Sequence, residues 1–169
     1  MSLTTTDITE AKSDDRLFKL LSSELNARLG ATRKDLDGHL QFIRALPRGL
    51  RAMAAIHRLD ISMAIDDLGW HFHNFHHREL CEETVAGLRE LGATEAADIF
   101  QKAMTIAESH WEKIGEADFE KWYGESGLEK SLEPLNKKLW AVCEKSRDYG
   151  LMNFWLSYAR KYPERILES

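Results

Sequence analysis

The sequence predicts an all-α protein: a multi-helix bundle in one domain with an N-terminal helical extension. Apolar residues recur at a period close to 3.6 along almost the whole chain. No Asn-Gly pair lies between alternating runs, so no hairpin is signalled. The 169 residues are the size of one domain, and no internal repeat or linker divides them. Hydrophobic residues at 43% and charged residues at 30% fit a globular chain rather than a disordered one. A chain this long holds a core without disulfide or metal.

A polar arm is expected over 1–14, followed by one all-α domain over 15–169. The first helix runs from about 15 to 29 and stops at Gly30, a residue suited to the position after a helix end. A second starts near Thr32 and reaches about Leu46, with Pro47 closing it. A third begins at Pro47 or Arg48. Ile61, Ile65, Leu68, Phe72 and Phe75 follow at spacings of four and three, one stripe on one helix face. At 100° per residue Leu88 would point ~160° away from Phe72. Thr84, Val85, Leu88 and Leu91 nevertheless form the next apolar face, so a turn or kink belongs between His76 and Glu79.

The helix after the kink ends at Gly92. Thr94 then caps a helix from Glu95 to about Glu108 that buries Ala96, Ile99, Phe100, Ala103 and Ala107. Residues 110–131 hold a short helix near 118–123 among Gly115, Gly124 and Gly127. Leu132, Leu135, Leu139 and Cys143 make another stripe. Leu151, Phe154, Trp155, Tyr158 and Tyr162 make the last, ended before Pro163. That is seven to nine helices. Trp70 lies off the Phe72 stripe, so it is either buried by another element, the preferred reading, or part of a contact surface.

Two separated cysteines, Cys81 and Cys143, form neither a disulfide framework nor a Cys-x-x-Cys metal site, and a reducing cytoplasmic setting is the simplest reading. No apolar run approaches the ~18 residues of a membrane span. The first residues lack the basic-then-apolar pattern of a signal peptide. No nucleophile elbow, phosphate-binding loop or dinucleotide fingerprint is present, so no catalytic residue or cofactor is assigned.

Charge is uneven. The formal net charge of the chain is -5, against +2 for residues 1–60, -10 for 61–135 and +3 for 136–169. Glu79, Glu82, Glu83 and Glu90 lie within ~100° of one another, opposite an apolar face. Such an array is either a solvated face or a surface that addresses a basic partner by salt-sensitive steering. With Glu95 and Asp98 on the next helix, these six are the candidate contact residues. The acidic balance argues against direct nucleic-acid binding.

Four of seven histidines fall in WHFHNFHH. His73 and His77 are four apart, the spacing of a metal pair on one helix face, and His39 on the second helix is a candidate third ligand. The absence of an accompanying catalytic carboxylate motif makes a mixture of core-edge and surface histidines the default. The alternative is a metal-binding or metal-dependent helical module. A third reading is a helical module whose partner surface is apolar.

Three stretches, RAMAAIHRLDISMAIDDLGWHFHNF, CEETVAGLRELGATEAADIFQKAM and LMNFWLSYARKYPERI, resemble the helical domain of the DNA-mimic protein family, in order, over about residues 47–166. The chain has Gly69, Trp70 and His71 where that family has Asn-Gly-Gly, and Asn74 where Gln is usual. The resemblance implies an all-α fold and a bacterial, non-enzymatic protein without cofactor. It also implies an acidic surface that stands in for DNA phosphates and occupies a basic, DNA-binding protein such as a transcription factor.

Overall fold

The computed structural model describes residues 3–29, 35–145 and 147–168. Among them every regular element is a helix: α1 (Thr5–Glu10), α2 (Asp14–Leu29), α3 (Leu36–Arg44), α4 (Arg48–Ile65), α5 (Leu68–Asn74), α6 (Arg78–Glu90), α7 (Thr94–Glu108), α8 (Trp111–Ile114), α9 (Phe119–Ser126), α10 (Leu128–Lys145), a 3-10 segment (Arg147–Met152), α11 (Asn153–Lys161) and α12 (Glu164–Leu167).

Part of the stretch read as a polar arm folds. Thr4 and Asp7 form a reciprocal cap, with the Thr4 hydroxyl accepting from the Asp7 N–H at 3.2 Å and the Asp7 carboxylate accepting from the Thr4 N–H at 2.9 Å. That cap starts α1, whose Ile8 is fully buried together with Leu3 and Ala11 beside it. The helix start expected near Thr32 and the stop at Gly30 lie outside the described residues. The α3 helix begins after Asp35, whose carboxylate accepts from the Gly38 N–H at 2.6 Å. Thr94 is the first residue of α7 and not its cap; Ala93 holds that position without a side-chain bond.

The expected stripe from Ile61 to Phe75 does not lie on one helix. The α4 helix ends at Ile65, Asp66 takes a non-helical conformation, and Asp67 caps α5 by accepting the Trp70 N–H at 3.0 Å. Leu68 and Phe72 are buried, whereas Ile61 and Ile65 are exposed at 44% and 80%. Two consecutive aspartates compete for backbone N–H groups and favour a cap over a continuing helix. The second break falls where the stripe's change of direction placed it, with α5 ending at Asn74 and α6 starting at Arg78.

The core is a ring of helices. The α4 helix packs on α6, α6 on α7, α7 on α10, and α10 returns to α4 and α5. Gly92, at φ 81°, makes the turn between α6 and α7. Phe72, Phe100, Phe119 and Trp155 are among the largest fully buried side chains. The N-terminal helices α1 and α2 lean on α11, and α12 lies against α4. Trp140 of α10 ties back to the end of α4 by donating its indole N–H to the Met63 carbonyl at 3.0 Å.

Candidate functional site

The six expected contact carboxylates divide into two kinds. Glu83 and Glu90 turn inward. Glu83 is buried; Arg51 reaches both of its oxygens at 2.7 and 2.9 Å, and Arg44 shares one of them at 2.8 Å. Burial pushes the Glu83 carboxyl up, but the hydrogen bonds and charges of Arg51 and Arg44 outweigh it and hold the group below its ordinary range. Glu90 accepts from Arg48 at 2.6 Å and from the Tyr158 hydroxyl at 2.5 Å, with Arg165 at 3.7 Å. These two carboxylates tie α6 to α3, α4 and the C-terminal helices.

The other four face outward. Glu79 pairs with Arg44 at 2.7 Å, Asp98 with Arg89 at 3.5 Å and Glu95 with Lys145 at 3.8 Å. Glu82 is exposed and among the described residues makes no ion pair. Surface pairs of this kind contribute about 0–1 kcal/mol each. They still place cations beside the carboxylates, so the α6–α7 face is mixed in sign. Arg44, Arg48, Arg51, Lys145 and Arg165 all come from the two basic ends of the sequence.

Further exposed carboxylates lie on α8, α9 and the start of α10, alongside the exposed Lys113, Lys121 and Lys130. Glu112, Asp118, Glu120, Glu125 and Glu129 are exposed and make no ion pair among the described residues. Glu116 and Glu133 pair only with their neighbours Lys113 and Lys137, each at 2.6 Å. Asp66 and Asp67 adjoin this surface. Burial raises the Tyr123 phenol's pKa first, and Asp67, Glu129 and Asp66 all act on it in the same direction. Sequence reasoning missed this surface because it weighed helical wheels, and these carboxylates sit on short helices and turns. The signal that could have found them is the scarcity of partners: Arg44, Arg48, Arg51 and Arg165 from the chain ends meet carboxylates of α6.

The Tyr123 ring lies directly on α5 at Gly69, where a Cβ atom would overlap its phenol, and its hydroxyl donates to Asp67 at 2.9 Å. Gly69 stands at the first position of the altered Asn-Gly-Gly segment and gives this contact its room. Trp70 is half-buried, edge-on to Phe119 at 5.2 Å.

The histidines do not converge. His73 stacks on Phe119 at 4.5 Å and donates Nδ1–H to the Ile114 carbonyl at 2.6 Å. His76 stacks on Trp111 at 4.4 Å and donates Nε2–H to the Trp111 carbonyl at 2.7 Å. The protons follow from chemistry, since a carbonyl only accepts. His77 lies beyond the end of α5 and caps α6. Its Nδ1 accepts the Leu80 N–H at 3.4 Å and its Nε2 faces Asp37 at 2.8 Å. The i, i+4 register of His73 and His77 is therefore lost at the helix break. Buried His71, whose Nδ1 lies 2.9 Å from the Ser62 hydroxyl, has its pKa lowered to about 3 by burial and then by Arg58. His39 is buried on α3 beside Phe42. No group of three His, Cys, Asp or Glu side chains suited to a metal ion occurs among the described residues, and no helix among them is long and apolar enough to cross a membrane.

The all-helical ring, with ion-paired carboxylates on α6 and histidines that do not converge, defines an all-α multi-helix bundle. The sequence model of the DMP19-like protein family matches residues 44–161, more than two thirds of the chain, and the chain belongs to that family. No curated protein and no solved structure matches it.

Proposed function

We propose that the protein is a non-enzymatic cytoplasmic interaction protein that presents an acidic helical surface to a basic protein partner, a DNA-binding protein such as a transcription factor being the type that fits. The observation that supports this most directly is the run of exposed carboxylates without ion pairs on α8, α9 and the start of α10. Family membership supports it too, since DMP19 is a DNA-mimic protein. Carboxylates fixed on rigid helices can occupy the lysines and arginines that a DNA-binding protein keeps for phosphates. The outward residues Glu79, Glu82, Glu95 and Asp98 are further contact candidates, three of them already beside a cation. Glu83 and Glu90 hold the helices that carry them.

Capture of partners from a cell extract at low and high salt tests the reading, using two charge-reversed proteins. One carries lysine at Glu120, Glu125 and Glu129, the other at Glu79, Glu82, Glu95 and Asp98. Binding should fall with salt, and the first set should weaken it more than the second. Capture that ignores salt and survives both sets would defeat the proposal.

A further inference from the structure

The break between α4 and α5 leaves an open hollow of about 370 Å³, lined by Met63, Ala64, Ile65, Asp66, Asp67 and Trp140. Three kinds of side chain meet in it. Trp140 of α10 is half-buried, its indole N–H fixed on the Met63 carbonyl at 3.0 Å. Among the described residues no cation lies over its ring. Ile65 is an apolar side chain 80% exposed. Asp66 is exposed and, among the described residues, makes no ion pair. Asp67 gives one oxygen to the Trp70 N–H at 3.0 Å and the other to the Tyr123 hydroxyl at 2.9 Å, and it meets no cation among those residues either. Burial and then the charge of Asp67 raise the Asp66 pKa. Burial, followed by Asp67, Glu129 and Asp66, pushes the adjoining Tyr123 phenol up as well. Two neighbouring carboxylates without a counter-ion repel each other, and a cation brought to them relieves both. Lys137, one turn before Trp140, is already bound to Glu133 at 2.6 Å.

We propose that this hollow receives one arginine side chain of the basic protein partner. The inference rests on the function proposed above and names the contact that anchors it. Arginine fits better than lysine by shape. Its guanidinium is planar, so it lies flat on an indole face while its edge donates to a carboxylate alongside. Asp66 is that carboxylate, and Asp67 adds charge with its own oxygens already engaged. Ile65 and Ala64 cover the methylene stem of the arriving side chain. A lysine ammonium, compact and strongly hydrated, gains the attraction of the charges but not the flat contact. Aromatic and arginine side chains are the commonest anchors of protein interfaces. One such anchor beside scattered carboxylates gives a diffuse attraction a fixed register.

Nuclear magnetic resonance on the full chain tests it, with hexaarginine and hexalysine as probes of equal charge. The Trp140 indole N–H signal, identified by its loss in Trp140→Leu, should shift and saturate with hexaarginine and respond several-fold more weakly to hexalysine. Asp66→Asn, at an exposed position and of the same shape, should weaken the hexaarginine affinity read at that signal about tenfold. Ile65→Ser should weaken it by a smaller factor. Equal affinities for the two peptides, a Trp140 signal that does not move, or an affinity indifferent to Asp66→Asn each overturn the proposal. So does a Trp140 shift produced by raising the concentration of the protein alone, which places a second copy in the hollow. Capture from a cell extract separates this inference from the reading it rests on. Capture that ignores salt defeats the proposed function. Salt-sensitive capture that Asp66→Asn combined with Ile65→Ser leaves unchanged defeats the arginine contact alone.

Discussion

Arg51 grips both carboxylate oxygens of Glu83 across the interface of α4 and α6, and Arg44 closes over the same carboxylate from the end of α3. A glutamate drawn from the middle of the acidic segment thus becomes a fastening for three helices. The chain's uneven charge is resolved inside the fold at this point, because the basic N-terminal part and the acidic central part meet there.

Glu83→Gln should therefore destabilise the protein. Two guanidiniums would lose their anion at a site where the carboxylate is 7% exposed. Breaking a buried pair costs about 3–5 kcal/mol, and the half-exposed arginines, which can turn to water, bring the expectation down to about 2 kcal/mol. Urea unfolding near neutral pH measures it. The sign with pH is also fixed. The folded Glu83 pKa lies below its unfolded value. Its contribution is present above the ordinary glutamate range and is lost as pH falls through the lowered folded value. The difference in stability between the unmodified protein and Glu83→Gln should shrink on acidification.

At Gly69 the expected outcome is steric. The Tyr123 ring occupies the place of a Cβ atom, and it is held there by its bond to Asp67. Gly69→Ala forces either the ring or α5 to move, and overpacking of this kind costs about 1–3 kcal/mol despite alanine's better helix propensity. Tyr123→Phe removes only the hydroxyl bond, with a cost of about 1 kcal/mol. If Gly69→Ala proves as stable as the unmodified protein in urea, the close contact does not govern this site.

Added Zn²⁺ or Ni²⁺ should leave the unfolding temperature of tag-free protein unchanged. His73 and His76 already donate to carbonyls, and His77 spends Nδ1 on the cap of α6. A metal would have to displace those bonds and realign residues from either side of a helix break. A rise of several degrees that disappears in His73→Ala would show that the side chains do come together.

How far the sequence foretold this molecule follows from which physics was local. Helix periodicity is local, so the all-α class, the break before α6 and the turn at Gly92 were all readable. The acidic bias of residues 61–135 was readable as composition. Ion pairing was not, because Glu83 lies 39 residues from Arg44 and Glu90 lies 75 from Arg165, distances at which a sequence offers no register. The stripe from Ile61 to Phe75 misled for a related reason. Its spacing fits a single helix, but Asp66 and Asp67 supply a cap, and the second oxygen of Asp67 accepts from Tyr123, 56 residues away. The same break leaves Ile61 and Ile65 bare.

Asp60 offers the clearest test by pH. Its carboxylate is buried in α4 and accepts the Leu151 N–H at 2.5 Å where the chain turns into α11. Burial raises its pKa from 3.8 to about 6, against the lowering effect of the bonds from the Leu151 and Met152 backbone. A raised folded value means that the folded protein binds the proton more tightly than the unfolded chain. The stabilising contribution of the neutral acid is full below pH 4 and is lost as pH rises through 6. A shift of this size corresponds to about 3 kcal/mol. Asp60→Asn keeps an oxygen for the Leu151 N–H and cannot ionise. Relative to the unmodified protein it should gain stability steadily from pH 4 to pH 6.5 and hold a constant advantage above that. Unfolding temperatures of the two proteins across this range decide the matter. A difference that stays flat with pH would mean that Asp60 titrates like an ordinary exposed carboxylate.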